Sequence, residues 1–546
     1  MKVKFRLWFA LSLLLFLTGC PGSGSTGEKG EAPPEAKFFE NLSLASPLKS
    51  YRHHNPIMTQ NFGADPWALA FGDRVYVYMT GDTPRLGADG VIQQNNYDNI
   101  TTIRVLSSSD LVNWTEHPAI AAAGPQGAAK WAARSWAPAA AFKEIGGQAK
   151  FFLYFANGAN GIGVLQADSP AGPFTDPIGG ALVNSSTPNC GDVVWLFDPA
   201  VLTDDDGKAY LYFGGGTPTN TGQDLWGGAA HSNHPSPGTI RAVELGADMA
   251  SLAGTPVRLD VPFSFEDSGI NKIGNTYYYS YCTNRGVDAF AANDPAGYPD
   301  AVKIGKGMSI AYMTGENPLG PFALQGMILA NPGEMFGIRG GNNHHAMFEF
   351  RGKWYIAYHS RLLAQMMGLD DDGKPSAAGE GYRITHIDAV NIKEDGTISL
   401  INGTRNGVAQ SGNFDPYQPV DAATIGVMAG ISTGEYQPPQ GGPSAAPRMM
   451  VTDIHPGCWL ALYGVDFGSG GAKKFKCLVS PPPEGFGMIQ IKLDSLDGKP
   501  VGYVKTEAGQ AGEITVDLLE TVTAVHDLVF VFYGEGWDFI QWQFLQ

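Results

Sequence analysis

Three carboxylates and a histidine recur at nearly one offset in this chain. Asp65 lies 11 residues before Tyr76, Asp198 lies 12 before Tyr210, Glu266 lies 12 before Tyr278, and His344 lies 11 before Tyr355. A carboxylic acid and a carboxylate facing one pocket can do general acid–base work, provided their environments push their proton affinities apart. Glu266 stands between Phe265 and the following Ile270, surroundings that raise a carboxyl pKa and suit a general acid. Asp65 precedes Pro66, which restricts its backbone to extended forms and presents it at a strand entrance. Asp198 precedes Pro199 in the same way, so neither Asp-Pro is read as an isolated turn. Asp267 competes with Glu266 for the acidic role; the offset favours Glu266.

The elements that would position these groups repeat. A glycine a few residues before an aromatic strand occurs in GDRVYVY from Gly72, GGQAKFFLYF from Gly146, DGKAYLYF from Asp206, GNTYYYSY from Gly274 and RGKWYIAYH from Arg351. The markers Tyr76, Phe152, Tyr210, Tyr278 and Tyr355 lie 76, 58, 68 and 77 residues apart. Five strand-and-turn repeats predict a five-bladed β-propeller, in which equivalent positions share one radius about the axis. The second repeat offers Arg134-Ser135-Trp136-Ala137-Pro138 in place of a carboxylate. Trp136 is either a core residue or a platform for the apolar face of a sugar. His344-His345 before the fifth strand is a contact to substrate, a metal ligand or a buried hydrogen-bonded pair. Tyr382-Arg383 leads into a last strand ending near Ile401, which is expected to close the ring. The run Asp204-Asp205-Asp206-Gly207 reads as a solvated hairpin turn, lacking calcium-loop spacing.

Composition agrees. The 546 residues exceed one core, and 16% charged residues with 71 Gly and 37 Pro suit a turn-rich β protein. A net charge of −17 argues against a nucleic-acid partner but not against a neutral polymer. Lys2, Lys4 and Arg6 precede the short apolar run Leu7 to Leu17, as in an export signal. Pro21 to Lys37 is a flexible tether. An exported chain permits a disulfide, and Cys458 with Cys477 is the candidate pair. Beyond Gly403 the marker is lost and short strands predict a separate β-sandwich.

ADPWALAFGDRVYVYMT, LFDPAVLTDDDGKAYLYF, FEDSGINKIGNTYYYSY and NNHHAMFEFRGKWYIAYHSR resemble glycoside hydrolase family 43 from about Asn55 to Asn402. The resemblance implies an inverting enzyme on arabinose- and xylose-containing polysaccharides, most like an arabinoxylan arabinofuranohydrolase, with β-xylosidases close behind. It implies Asp65 as general base, Glu266 as general acid and Asp198 as the residue that tunes and orients the acid. Trp136, His344, His345 and Arg383 are the expected substrate contacts. No cofactor is required; a calcium ion near the axis would use His345 or His344. Tyr463 to Gly468, Ile489 to Ser495 and Val525 to Phe532 resemble carbohydrate-binding module family 6. That implies Trp459 and Trp537 as candidate sugar platforms, and a structural calcium near Asp421, where Ala423 replaces the usual second acid. Leu17-Thr18-Gly19-Cys20 resembles a bacterial lipobox, implying cleavage before Cys20 and its lipidation. The expected organisation is a signal over 1–19, a lipidated tether over 20–37, a propeller over 38–402 and a jelly-roll sandwich over 403–546. The expected partners are plant cell-wall polysaccharide and, through the lipid alone, a bacterial membrane.

Overall fold

Short apolar runs cut by glycine turns favour hairpins over helices, and the chain folds as antiparallel strands. The computed structural model describes residues 33–546 apart from 89–91, 96, 219–232, 370–380, 439–446 and 511. The signal, Cys20 and most of the tether lie outside the described residues. Among those residues only four α-helices occur, the longest being Val287–Asn293. None is long and apolar enough to cross a membrane. The fold is all-β.

Five antiparallel sheets follow one another. Their first strands are Ala64–Phe71, Trp136–Ile145, Ala200–Thr203, Ser264–Ile273 and His345–Phe350. Their second strands carry the five markers: Arg74–Thr80, Gln148–Ala156, Ala209–Phe213, Thr276–Thr283 and Lys353–Ser360. Further strands add outward in chain order. The first strands of consecutive sheets pack side by side, and that of the fifth packs on that of the first. The cores follow the same circuit. One cluster runs from Tyr78 through Phe152 and Tyr212 to Tyr279, a second joins Tyr278 to Tyr358, and a third joins Tyr355 to Val77. Within each sheet strands are hydrogen-bonded; from sheet to sheet side-chain packing dominates, with scattered hydrogen bonds such as that from the Gly216 N–H to the Phe265 carbonyl. Among the described residues no sheet closes on itself.

The last strand ends earlier than expected, at Val390. Lys393 and Thr397 close a turn around Gly396, which takes a φ of 82° and reverses the chain. Ile401 then makes only an isolated bridge to Leu329 of the fourth sheet. The fifth sheet meets the start of the folded chain instead. The Ile57 and Gly63 N–H groups donate to the Thr385 and Arg383 carbonyls, and Asn55 accepts from the Ile387 N–H.

Beyond residue 420 two sheets enclose one core of Leu460, Phe475, Phe530, Trp542 and Phe544. The second expectation to fail concerns its tryptophans. Trp537 is 2% exposed and packs on Phe532 within that core. Trp459 is fully buried, and its indole N–H donates to the Ala45 carbonyl. Neither can present a face to a sugar. Cys458 and Cys477 do not pair; all four cysteines of the described residues are buried free thiols.

Candidate active site

The pairing of first and second strands shows which residues are equivalent. Ala64 faces Thr80, Trp136 faces Ala156 and Glu266 faces Cys282, each partner lying four residues beyond its marker. Gly214 and His359, also four beyond, donate their N–H groups to the Phe197 and His344 carbonyls. One ring position is therefore Ala64, Trp136, Phe197, Glu266 and His344. The next is Asp65, Ala137, Asp198, Asp267 and His345. Four members of that second position have positive φ: 47° at Asp65, 39° at Ala137, 49° at Asp198 and 65° at Asp267, so Asp65 and Asp198 do not take the extended form expected before a proline. Aspartate tolerates this left-handed region better than most residues. Register shifts follow in the first, second and fourth sheets. A bulge of this kind re-aims side chains, so two consecutive residues need not point to opposite faces. The backbone equivalent of Asp65 and Asp198 is therefore Asp267, not Glu266 as the offset suggests; Glu266 stands one position earlier.

Asp65, Asp198 and Glu266 all line one pocket of about 490 Å³. Trp136, Trp195, Phe197 and Phe265 form its aromatic wall; His344, Arg383, Arg285 and Arg361 supply nitrogen. Asp65 is 4% exposed. Its Oδ1 accepts from Arg383 at 2.7 Å, and its N–H donates to His359 Nδ1 at 3.0 Å. Arg383 is itself held by Asp82, which accepts from Nε at 2.9 Å and from the second terminal nitrogen at 3.0 Å. A guanidinium gripped at both ends is a fixed positive charge. Asp198 Oδ2 accepts the Asp267 N–H at 3.0 Å. His344 Nδ1 lies 3.6 Å from Asp65 and 3.9 Å from Asp198, while its Nε2 lies 3.1 Å from Asp267 Oδ1.

These contacts separate the carboxyl groups by charge state. Burial works to raise Asp65, but Arg383, with His359 and His344 beside it, holds it far below the usual carboxylate range. Burial pushes Asp198 up to about 7, with Asp65 and Asp267 adding to that and His344 opposing it. Glu266 is driven well above the usual range, by burial first and then by Asp198, Asp65 and Asp267. Its Oε1 has no hydrogen-bond partner. The pocket therefore favours the ionised form of Asp65 and the protonated form of Glu266, the pairing that acid–base hydrolysis requires.

His344, Arg383 and Trp136 stand where substrate contacts were expected, in the pocket wall. His345 does not. It is fully buried; its Nδ1 donates to Asp267 Oδ2 at 2.5 Å and its Nε2 accepts from the Ser280 hydroxyl at 2.7 Å. With both nitrogens engaged it offers neither a substrate contact nor a metal donor. Among the described residues no three His, Cys, Asp or Glu side chains group as metal donors. Near the expected module calcium, Asp421 already meets Arg448 and Gln541, and Ala423 is buried without a donor. Neither His345 nor the pair Asp421 and Ala423 offers a free donor set for an ion. Sequence reasoning missed Tyr97, Trp195, Arg285 and Arg361. Only their arrival at one rim distinguishes them, and they come from loops without repeat register.

Comparison with known proteins decides the class. The model of Glycosyl hydrolases family 43 matches residues 53–398, and that of Carbohydrate binding module (family 6) matches residues 421–546. The chain belongs to glycosyl hydrolase family 43. This family 43 chain is 43% identical over 561 aligned residues to an arabinoxylan arabinofuranohydrolase of Bacillus subtilis, covering 100% of this chain and 99% of that one. It is 44% identical to an arabinoxylan arabinofuranohydrolase of Paenibacillus polymyxa, over 88% of this chain and 72% of that one. A crystal structure of the glycoside hydrolase family 43 arabinoxylan arabinofuranohydrolase from Bacillus subtilis, in complex with cellotetraose, superposes with a TM-score of 0.81. That match has 42% identity and covers 92% of this chain and 99% of that one. The family 43 chain is a glycosidase.

Proposed function

We propose that this chain removes α-L-arabinofuranosyl side chains from arabinoxylan or arabinan, with inversion at the anomeric carbon. The observation that carries the chemistry is the opposite pKa shifts of Asp65 and Glu266, two carboxyl groups lining one pocket. The relatives named as arabinoxylan arabinofuranohydrolases, alike over nearly the whole chain, carry the choice of sugar. Glu266 gives its proton to the glycosidic oxygen as the bond to the xylan backbone breaks. Asp65, ionised by Arg383, takes a proton from a water attacking the opposite face of the ring. Inversion needs the two carboxyl groups about 6.5–9.5 Å apart, leaving room for that water. Asp198 keeps Glu266 protonated and orients it. The aromatic wall of Trp136, Trp195 and Phe197 offers apolar surface to sugar faces.

The five sheets are the blades of a propeller over 38–402, and the two C-terminal sheets are a jelly-roll module over 403–546. What supports the first reading is that the first strands pack in a circuit and present equivalent positions to one pocket. The basic start, short apolar run and Cys20 of the first twenty residues support export and lipid anchoring to a bacterial membrane. The test of function is the product released from arabinoxylan. NMR during hydrolysis should show arabinose alone, first as the β-anomer. Xylose would indicate a β-xylosidase, oligomers an endo-acting enzyme, and polysaccharide binding without release a non-catalytic surface protein.

A further inference from the structure

Asp267 occupies the same ring position as Asp65 and Asp198, shares their positive φ, and yet is not exposed to the pocket at all. Its contacts run to every side of the acidic cluster. Its N–H donates to Asp198 Oδ2 at 3.0 Å. Its Oδ1 stands 3.1 Å from His344 Nε2. Its Oδ2 accepts from the His345 N–H at 3.1 Å and from His345 Nδ1 at 2.5 Å, and Ser280 holds the far side of that ring. Asp267 is thus fixed from behind by His345 and Ser280, and in front it meets the one imidazole that lies between Asp65 and Asp198. His344 Nε2 and Asp267 Oδ1 stand within ion-pair range without a hydrogen bond between them. On the other side of the ring Nδ1 lies between the proposed base and the acid's orienting partner.

We propose that Asp267 is a positioning residue for the acid half of the reaction, its side chain acting through the His344 ring on the Asp198 carboxylate. The inference rests on the assignment of Glu266 as general acid and Asp198 as its orienting partner. Asp267 touches no reacting atom. Its main-chain N–H, which any residue would supply, holds Asp198 Oδ2; its side chain bears on the Asp198 carboxylate, and so on how Glu266 is aimed at the leaving oxygen, through the His344 ring. A poorly aimed acid matters when the leaving group is a sugar alcohol, which needs its proton. It matters little when the leaving group is an acidic phenol.

The experiment compares kcat and KM of the full chain on arabinoxylan oligosaccharide and on aryl α-L-arabinofuranosides of graded leaving-group acidity. Asp267→Asn keeps the main-chain N–H on Asp198 and removes the charge facing His344; it should lower kcat on the oligosaccharide by about 100-fold, the lower end of a general acid's contribution. On the most acidic phenol the loss should stay within about 5-fold, since general-acid help is then small, and KM should hardly change. A loss equal across all leaving groups would mean a structural role and overturn the proposal. Glu266→Gln is measured in parallel. If Glu266→Gln shows no leaving-group dependence, the acid assignment itself is wrong. If it does and Asp267→Asn does not, only the positioning role falls. Should Asp267→Asn fail to fold, His344→Gln interrupts the same link, and it must show the same gradient for the proposal to stand.

Discussion

Glu266 is held in an environment that opposes its charge, and this has a cost in stability as well as a benefit in chemistry. A carboxyl group whose folded pKa is raised adds most stability below its unfolded pKa, and that contribution is lost as pH rises toward the folded value. Glutamine is close in shape and has no proton to lose. Glu266→Gln should therefore leave thermal stability nearly unchanged near pH 4 and raise it by about 1 kcal/mol near pH 8, where the wild type must hold a proton against the solvent. Its turnover of arabinoxylan should fall at least about 100-fold. Melting curves at the two pH values check the first half; equal shifts at both would contradict the buried-acid reading. Asp65 has the opposite sign. Its depressed pKa contributes stability above the unfolded pKa, lost as pH falls toward the folded one. Arg383→Lys keeps a charge but cannot grip Asp82 and Asp65 together. The acidic limb of kcat/KM should move to higher pH, and a pH–rate profile with an unmoved limb would show that Arg383 does not control the base.

At the scale of the strand, the repeat was readable because aromatic residues alternate after a glycine turn, a pattern with period two. The bulges were not. Nothing in Trp136-Ala137 announces that Ala137 takes a φ of 39°, a conformation that costs an L-residue about 1 kcal/mol or more. Ala137→Gly should relieve that strain, and a net gain of roughly 0.5 kcal/mol is expected after the greater flexibility of glycine is counted. Chemical denaturation measures it directly. The bulges also explain why the offset pairs Glu266 with Asp65: the offset follows the sequence, while the direction of each side chain is set by backbone geometry. The two module tryptophans failed for a related reason. Tryptophan suits both a sugar face and a core, and strand patterning alone does not say which side of a sheet is covered. Trp537→Ala should cost about 3–5 kcal/mol of stability, as for a buried aromatic. Urea unfolding that shows no loss would place this side chain at the surface.

For the molecule as a whole, the module is stitched to the first sheet. Thr424–Ile425 pairs with Trp114–Thr115 as an added strand. Asn113 donates to the Tyr463 carbonyl and accepts its N–H, both at 2.8 Å. Glu116, 2% exposed, accepts from Thr433 at 2.7 Å and from Asn61 at 2.8 Å. Removing residues 403–546 would uncover the strand Trp114–Ala121 as a free edge and leave Glu116 short of a partner. The truncated chain should aggregate, and calorimetry of the full chain should show one transition. Two well-separated transitions would make the module an independent appendage. At the other end, Cys20→Ser should release the protein from membranes, and unchanged membrane retention would rule out lipid anchoring through that residue.

The chain by itself determined the repeat, the all-β class, the three carboxylates and their family, because these depend on residue types at short, regular spacing. It did not determine which residues turn inward at each bulge. Nor did it determine that His345 is spent on Asp267 and Ser280, that Arg383 braces Asp65 against Asp82, or that Trp459 and Trp537 are covered. Those depend on side chains brought together from positions tens to hundreds of residues apart, whose distances and burial exist only once the sheets have packed.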